Sequence, residues 1–171
     1  DVSENIVIIA SENPAVMSET LMDIHTLSKR YNIRLVGYPA MRDLKNLEPR
    51  IYFDLGLELF SPFWVDYSRP DVKSFLKTYR ERFLSEPHED SFAWHGYDIA
   101  YYFVSGIAMH GKRLLRKPGI HYPDLLETGF EFFRTDNDNG FENHKLYLIK
   151  YTGDMEVRLM GDIFGNIDIN N

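Results

Sequence analysis

The chain contains no cysteine. Disulfides, thiolate nucleophiles and cysteine-held metals are therefore excluded from its chemistry. It also lacks an excess of basic residues. Lys and Arg number 19 against 26 Asp and Glu, a formal charge of −7. Nucleic acid is thus a poor main partner, because phosphate neutralisation needs a basic surface. No apolar run is long enough to cross a bilayer. A basic leader is missing too: Asp1-Val2-Ser3-Glu4 is acidic where a secretory signal carries its positive charge.

Catalytic signatures are equally scarce. None of G-x-G-x-x-G, G-x-x-x-x-G-K-[ST], G-x-S-x-G or H-E-x-x-H occurs. The six histidines (His25, His88, His95, His110, His121 and His144) show no metal-ligand spacing on a helix. Asp136-Asn-Asp-Asn-Gly140 mimics a calcium loop. With Gly140 at loop position six, however, Thr135 and Leu146 fall where the first and twelfth positions need acids. The sequence is thus read as non-enzymatic, needing no metal and no cofactor. A hydrolase built on Glu12 or Asp66 is the weakest alternative.

What the chain does have is enough length for a real core, 171 residues, and an unusual share of aromatic residues, 15%. Most of those rings serve a core, and some are candidates to line a ligand cleft. The run from Asn5 to Ala10 is short, apolar and β-branched, as in a strand buried on both faces of a parallel sheet. Asn13 followed by Pro14 has the form of an N-cap and a first helical residue. Met17, Leu21, Ile24, Leu27 and Tyr31 then recur at helical spacing, predicting a helix over 14–31. Ile33 to Gly37 completes a βαβ unit.

One or two short helical turns are predicted within 41–53, and a third strand over 57–64, with Pro62 placing it at a sheet or strand edge. Ser68-Arg-Pro-Asp71 has the capping-box form and opens a helix whose inner face is Val72, Phe75, Leu76, Tyr79 and Phe83. A long helix follows over about 90–110, its inward stripe read as Phe92, Gly96, Ile99, Ala100, Phe103, Ile107 and Ala108. A short helix over 123–128 and strands over 130–134 and 145–150 come next. Tyr151 to Glu156 is a hairpin turn leading to a strand over 157–159. Residues 161–171 read as a tail. The pattern is an α/β fold of three layers, a mainly parallel sheet flanked by helices and closed by a C-terminal β-hairpin.

In open α/β sheets, ligands sit beyond the carboxyl ends of the strands. The loops there carry Ser11, Glu12, Asn13 and Tyr38, which are the candidate ligand-binding residues. Glu12 suits an ammonium, and the helix N-terminus after Asn13 suits an anion. A purely local role is the alternative for each: Ser11 and Asn13 capping the helix, Tyr38 packing under a loop. Phe63, Trp64 and Tyr67 form a candidate interaction surface for an envelope protein, with strand packing as the alternative.

Two stretches carry a resemblance. Val72, Phe75, Tyr79, Phe83 and Pro87 are followed by Phe92-Ala93 and Gly96-Tyr97-Asp98-Ile99-Ala100. This resembles the F-x-x-x-Y-x-x-x-F-x-x-x-P … A-x-x-G-Y-D-A stretch of type I periplasmic binding proteins, the group containing branched-chain amino-acid receptors of ABC transporters. The nearest variant is the binding-protein-like region of LysM-containing, peptidoglycan-associated proteins of Bacteroides-type bacteria. The resemblance spans roughly residues 4–160. It implies two α/β lobes closing on a solute, of which residues 1–160 would form the C-terminal portion. It also implies a periplasmic or cell-envelope location and a small solute, an amino acid or a cell-wall fragment, as partner. Ser11, Glu12 and Tyr38 match cleft-facing loop positions. A scaffold module without a small ligand, docked to an envelope protein, is the alternative.

Overall fold

A computed structural model of the chain describes residues 3–87, 92–136 and 138–163. The chain divides into two compact units, one formed by 1–61 with 146–163 and the other by 62–145 with the terminal residues.

In the first unit, β1 (Asn5–Ile8) and β2 (Ile33–Gly37) pair in parallel, joined by α1 (Pro14–Leu27). Asn13 caps α1 as expected, its side-chain oxygen accepting from the amides of Ala15 and Val16. The helix stops at Leu27 rather than Tyr31, because the chain turns there and the Arg30 and Tyr31 amides bond back to the Leu27 carbonyl. Its inner face is Met17, Leu21 and Ile24. A 3-10 turn (Pro39–Asp43) and α2 (Arg50–Asp54) supply the short helical turns. Gly37 ends β2 because a β-carbon there would meet the Met41 sulfur at 2.3 Å, so the glycine admits Met41 to the core.

The parallel run extends to β3 (Glu58–Ser61), and Pro62 ends it at once. The sheet then changes direction. Both β6 (Leu146–Thr152) and β7 (Glu156–Ile163) pair antiparallel, giving the order β1-β2-β3-β6-β7. The expectation of a mainly parallel sheet is therefore corrected: the sheet is mixed, two pairings of each kind. No helix separates the two strands of the terminal hairpin, so they must run opposite ways, and β6 meets β3 head to tail. The C-terminal hairpin itself is present, and β7 takes in 161–163 of the expected tail. The rest of that tail lies outside the described residues.

β1 also differs from expectation. It lies at the sheet edge with Ile6 and Ile8 exposed, so it is not buried on both faces. An unbroken apolar run cannot by itself distinguish a central strand from an edge. Glu58, buried at the middle of the sheet, accepts from Arg34 on β2 at 2.7 Å and from Lys150 on β6 at 2.9 Å. One carboxylate thus ties three adjacent strands together.

The second unit opens with α3 (Pro70–Phe83) and α4 (Ala93–His110). The expected capping box does not form. Arg69 precedes α3, Ser68 instead donates to the Asp66 carboxylate, and Asp71 accepts from Arg69 and from the Val72 amide. Asp90, expected in the next helix, falls outside the described residues. The inward face of α4 is Trp94, Asp98, Tyr102 and Gly106, and the stripe expected to be core is exposed. The helix is apolar almost all round, so periodicity could not choose a face. Specific contacts choose it. Asp98 is fully buried and satisfied, and the Trp94 indole donates to the Pro87 carbonyl. Gly106 packs so closely that a β-carbon would meet His121 and Leu114 at 2.8 Å.

A short α5 (Arg113–Arg116) and a 3-10 turn (Pro118–Ile120) follow. The helix expected over 123–128 is absent, because its amides are engaged elsewhere. Of the strand expected over 130–134, only β4 (Phe132–Phe133) forms. It pairs with β5 (Glu142–Asn143) in a separate two-stranded hairpin.

Candidate functional site

The residues expected to bind a ligand do not form a shared site. Ser11 accepts from the Asn13 amide, and Asn13 is spent as the helix cap. Both therefore play the local part. Glu12 is exposed on the same loop. Tyr38 packs against the first unit's core, with its hydroxyl buried and without a partner among the described residues. On the expected interaction surface, Phe63 and Trp64 are half-buried. The Trp64 amide donates to the Glu127 carbonyl at 2.7 Å. Tyr67 is exposed and packs edge-on against Trp94, ring centres 6.1 Å apart. Asp66 is engaged in its own turn, where hydrogen bonds from Ser68 hold its carboxyl below the ordinary range. It is not poised as a general acid.

A better-formed site lies within the second unit. A cavity of about 490 Å³ is walled by Tyr102 on α4, by Tyr122 and Asp124, and by Phe130, Glu131 and Phe132 leading into β4. Its volume is in the range of small-molecule sites. The wall is fixed from behind. Asp98 is 0% exposed and accepts three backbone amides, from Leu126 at 2.8 Å, Glu127 at 2.8 Å and Thr128 at 3.0 Å. Those bonds satisfy a buried carboxylate and draw 126–128 out of any helix. Asn143 on β5 holds the next stretch. Its amide nitrogen donates to the Gly129 carbonyl at 2.9 Å, and its oxygen accepts from the Glu131 amide at 2.8 Å. The Glu131 carbonyl in turn accepts from the His144 amide. The Tyr102 hydroxyl donates to the Pro118 carbonyl and secures the turn beneath.

Within this fixed frame one polar atom is left over. Glu131 Oε2 is buried and has no hydrogen-bond partner among the described residues. Aromatic rings surround it: Tyr102 and Phe130 sit 4.6 Å apart, and Phe130 and Phe132 stack at 5.3 Å.

His121 sits where this cavity meets a smaller one on the side of His110 and Met109. Its Nε2 lies 2.8 Å from Ser105 Oγ. The pair looks like a nucleophile and base, but the Ser105 hydroxyl already donates to the Tyr101 carbonyl. His121 therefore donates to Ser105, and no proton is available for transfer to the ring. Burial, reinforced by the neighbouring His110, pushes the His121 pKa down, which favours this neutral ring. Among the described residues there is no group of three or more metal-ligating side chains, and no helix is long and apolar enough to cross a membrane.

Sequence reasoning passed over Glu131 and Asn143, which carry no motif. Asp98 was present in the Gly96-Tyr97-Asp98 signature, though without its role. No family model, no curated protein and no solved structure matches the chain.

Proposed function

We propose that this chain is a non-enzymatic ligand-recognition domain that binds a small solute in the bacterial cell envelope. The parallel β-α-β start and the Gly96-Tyr97-Asp98 segment support a type I periplasmic-binding-protein-like origin. The observation that carries the binding function is the preformed cavity of the second unit, with its buried, unpartnered Glu131 oxygen. Sites held rigid before the ligand arrives bind without the cost of ordering themselves. A clamp on 126–128 and another on 129–131 supply that rigidity. The recognition site is thus assigned to this cavity rather than to the loops after β1 and β2.

A thermal-shift screen of amines, amino acids and muropeptides on the intact chain tests the reading. A ligand at a hundred times its Kd contributes about 2.7 kcal/mol, a rise of several degrees. Gly119→Trp, which places a ring at the cavity wall, is expected to abolish the rise. Absence of any shift across the screen refutes the proposal.

A protein-interaction module is the second reading. It is favoured by the outer face of α4, where Tyr97, Tyr101, Val104 and Ile107 are all exposed. Val104→Glu with Ile107→Glu should then abolish capture of an envelope partner while leaving the cavity's ligand shift intact.

A further inference from the structure

We infer that the cavity of the second unit takes a ligand bearing an organic ammonium, with the cation at Glu131 Oε2 and an apolar body against the Phe130–Phe132 pair. This rests on the reading of that cavity as a ligand site and specifies its chemistry.

Three observations converge. First, Oε2 is an acceptor without a donor, buried beside apolar surface. Such an atom is costly to leave unpaired, so a group that displaces solvent there must bring an N–H or O–H. A carboxylate or phosphate would set lone pairs against lone pairs. Second, the ionisable lining is Asp124 and Glu131 against Lys145, one net negative charge, and His121 adds none while its ring stays neutral. A charged N–H donor therefore gains more than a neutral O–H. Third, four rings line the site: Tyr102, Tyr122, Phe130 and Phe132. Ring faces attract ammonium groups and accept flat or aliphatic bodies. No other arrangement of these features favours an anion or a sugar, which would need several convergent donors.

The test uses three probes of equal size on the intact chain: 2-phenylethylamine, 2-phenylethanol and 3-phenylpropionate. Binding is followed by amide chemical shifts of Tyr122, Glu131 and Phe132. The amine is expected to shift these amides saturably and to bind about tenfold tighter than the alcohol, as a charge-assisted bond over a neutral one implies. Glu131→Gln should weaken the amine about tenfold and leave the alcohol unchanged. Asp124→Asn, at an exposed position that leaves folding undisturbed, should weaken the amine about twofold through charge alone. If the alcohol or the propionate binds as well as the amine, or if neither substitution affects the amine, the ammonium assignment is overturned, while the shifted amides still support a ligand site. If no probe shifts these amides, the ligand-site reading falls with it.

Discussion

Asp98→Asn is the sharpest test of how the cavity wall is built. The substitution keeps the side chain's size and shape, so it introduces no void. It changes only what the group can accept. The native carboxylate receives the Leu126 amide on one oxygen and the Glu127 and Thr128 amides on the other. An asparagine in the same place has one oxygen, and its NH₂ must face an amide that also donates. At least one buried N–H loses its acceptor, at about 1–3 kcal/mol, and the remaining bonds lose their charge assistance, at about 1 kcal/mol or more. The expected destabilisation of the second unit is therefore roughly 3 kcal/mol. The chain's two tryptophans, Trp64 and Trp94, both belong to that unit, so indole fluorescence during urea unfolding reports on it selectively. Amide exchange should accelerate first at 126–128. If Asp98→Asn shifts the fluorescence transition by less than about 0.5 kcal/mol and leaves those amides protected, the clamp is not what holds the wall.

Further outcomes follow from other sites. Burial alone would raise the Glu58 pKa, but hydrogen bonds and charge from Arg34 and Lys150 outweigh burial and leave it lowered. Its contribution is complete above the unfolded carboxyl range and is lost as pH falls through the folded value. Acid unfolding of the first unit, followed by amide exchange in β2 and β3, should lose its steepest step in Glu58→Gln. The lowered His121 pKa has a like sign: stability of the second unit should decline as pH falls below about 6.5, the unperturbed histidine value, and His121→Gln should flatten that decline. Gly106→Ala, favourable by about 1 kcal/mol in an ordinary helix, should here cost about 1–3 kcal/mol by forcing a methyl against His121 and Leu114. Leu84 ends α3 in the left-handed region at φ 53° while 91% exposed, so Leu84→Gly should raise the thermal midpoint by relieving about 1 kcal/mol of strain.

Where local chemistry decides structure, the sequence was informative. Asn13-Pro14 starts α1 because a capping oxygen and a pre-set φ act within three residues. Pro62 ends β3 for an equally local reason. Elsewhere the deciding contact was distant. The face of α4 depends on amides some 28 to 30 residues away along the chain, and those amides also explain why 123–128 is not helical. Sheet direction at β3 depends on a partner strand beginning at Leu146. The cavity was the least legible part. Glu131 and Asn143 belong to no spacing pattern, and they meet only because a hairpin of two-residue strands folds one against the other.

The pairing of β3 with β6 also bears on how the protein is made. Ser61 and Tyr147 face each other in the finished sheet, yet residues 62–145, some 84 in number, are synthesised between them. At about 5–20 residues per second, β3 waits roughly 4 to 17 seconds on the ribosome with one edge unpaired. Leu59 and Ser61, both buried in the folded chain, sit on that strand while it waits. The second unit can fold in that interval with its two ends still free of each other. The sheet therefore closes last, and the nascent chain is most open to strand-to-strand aggregation just before residue 152 emerges.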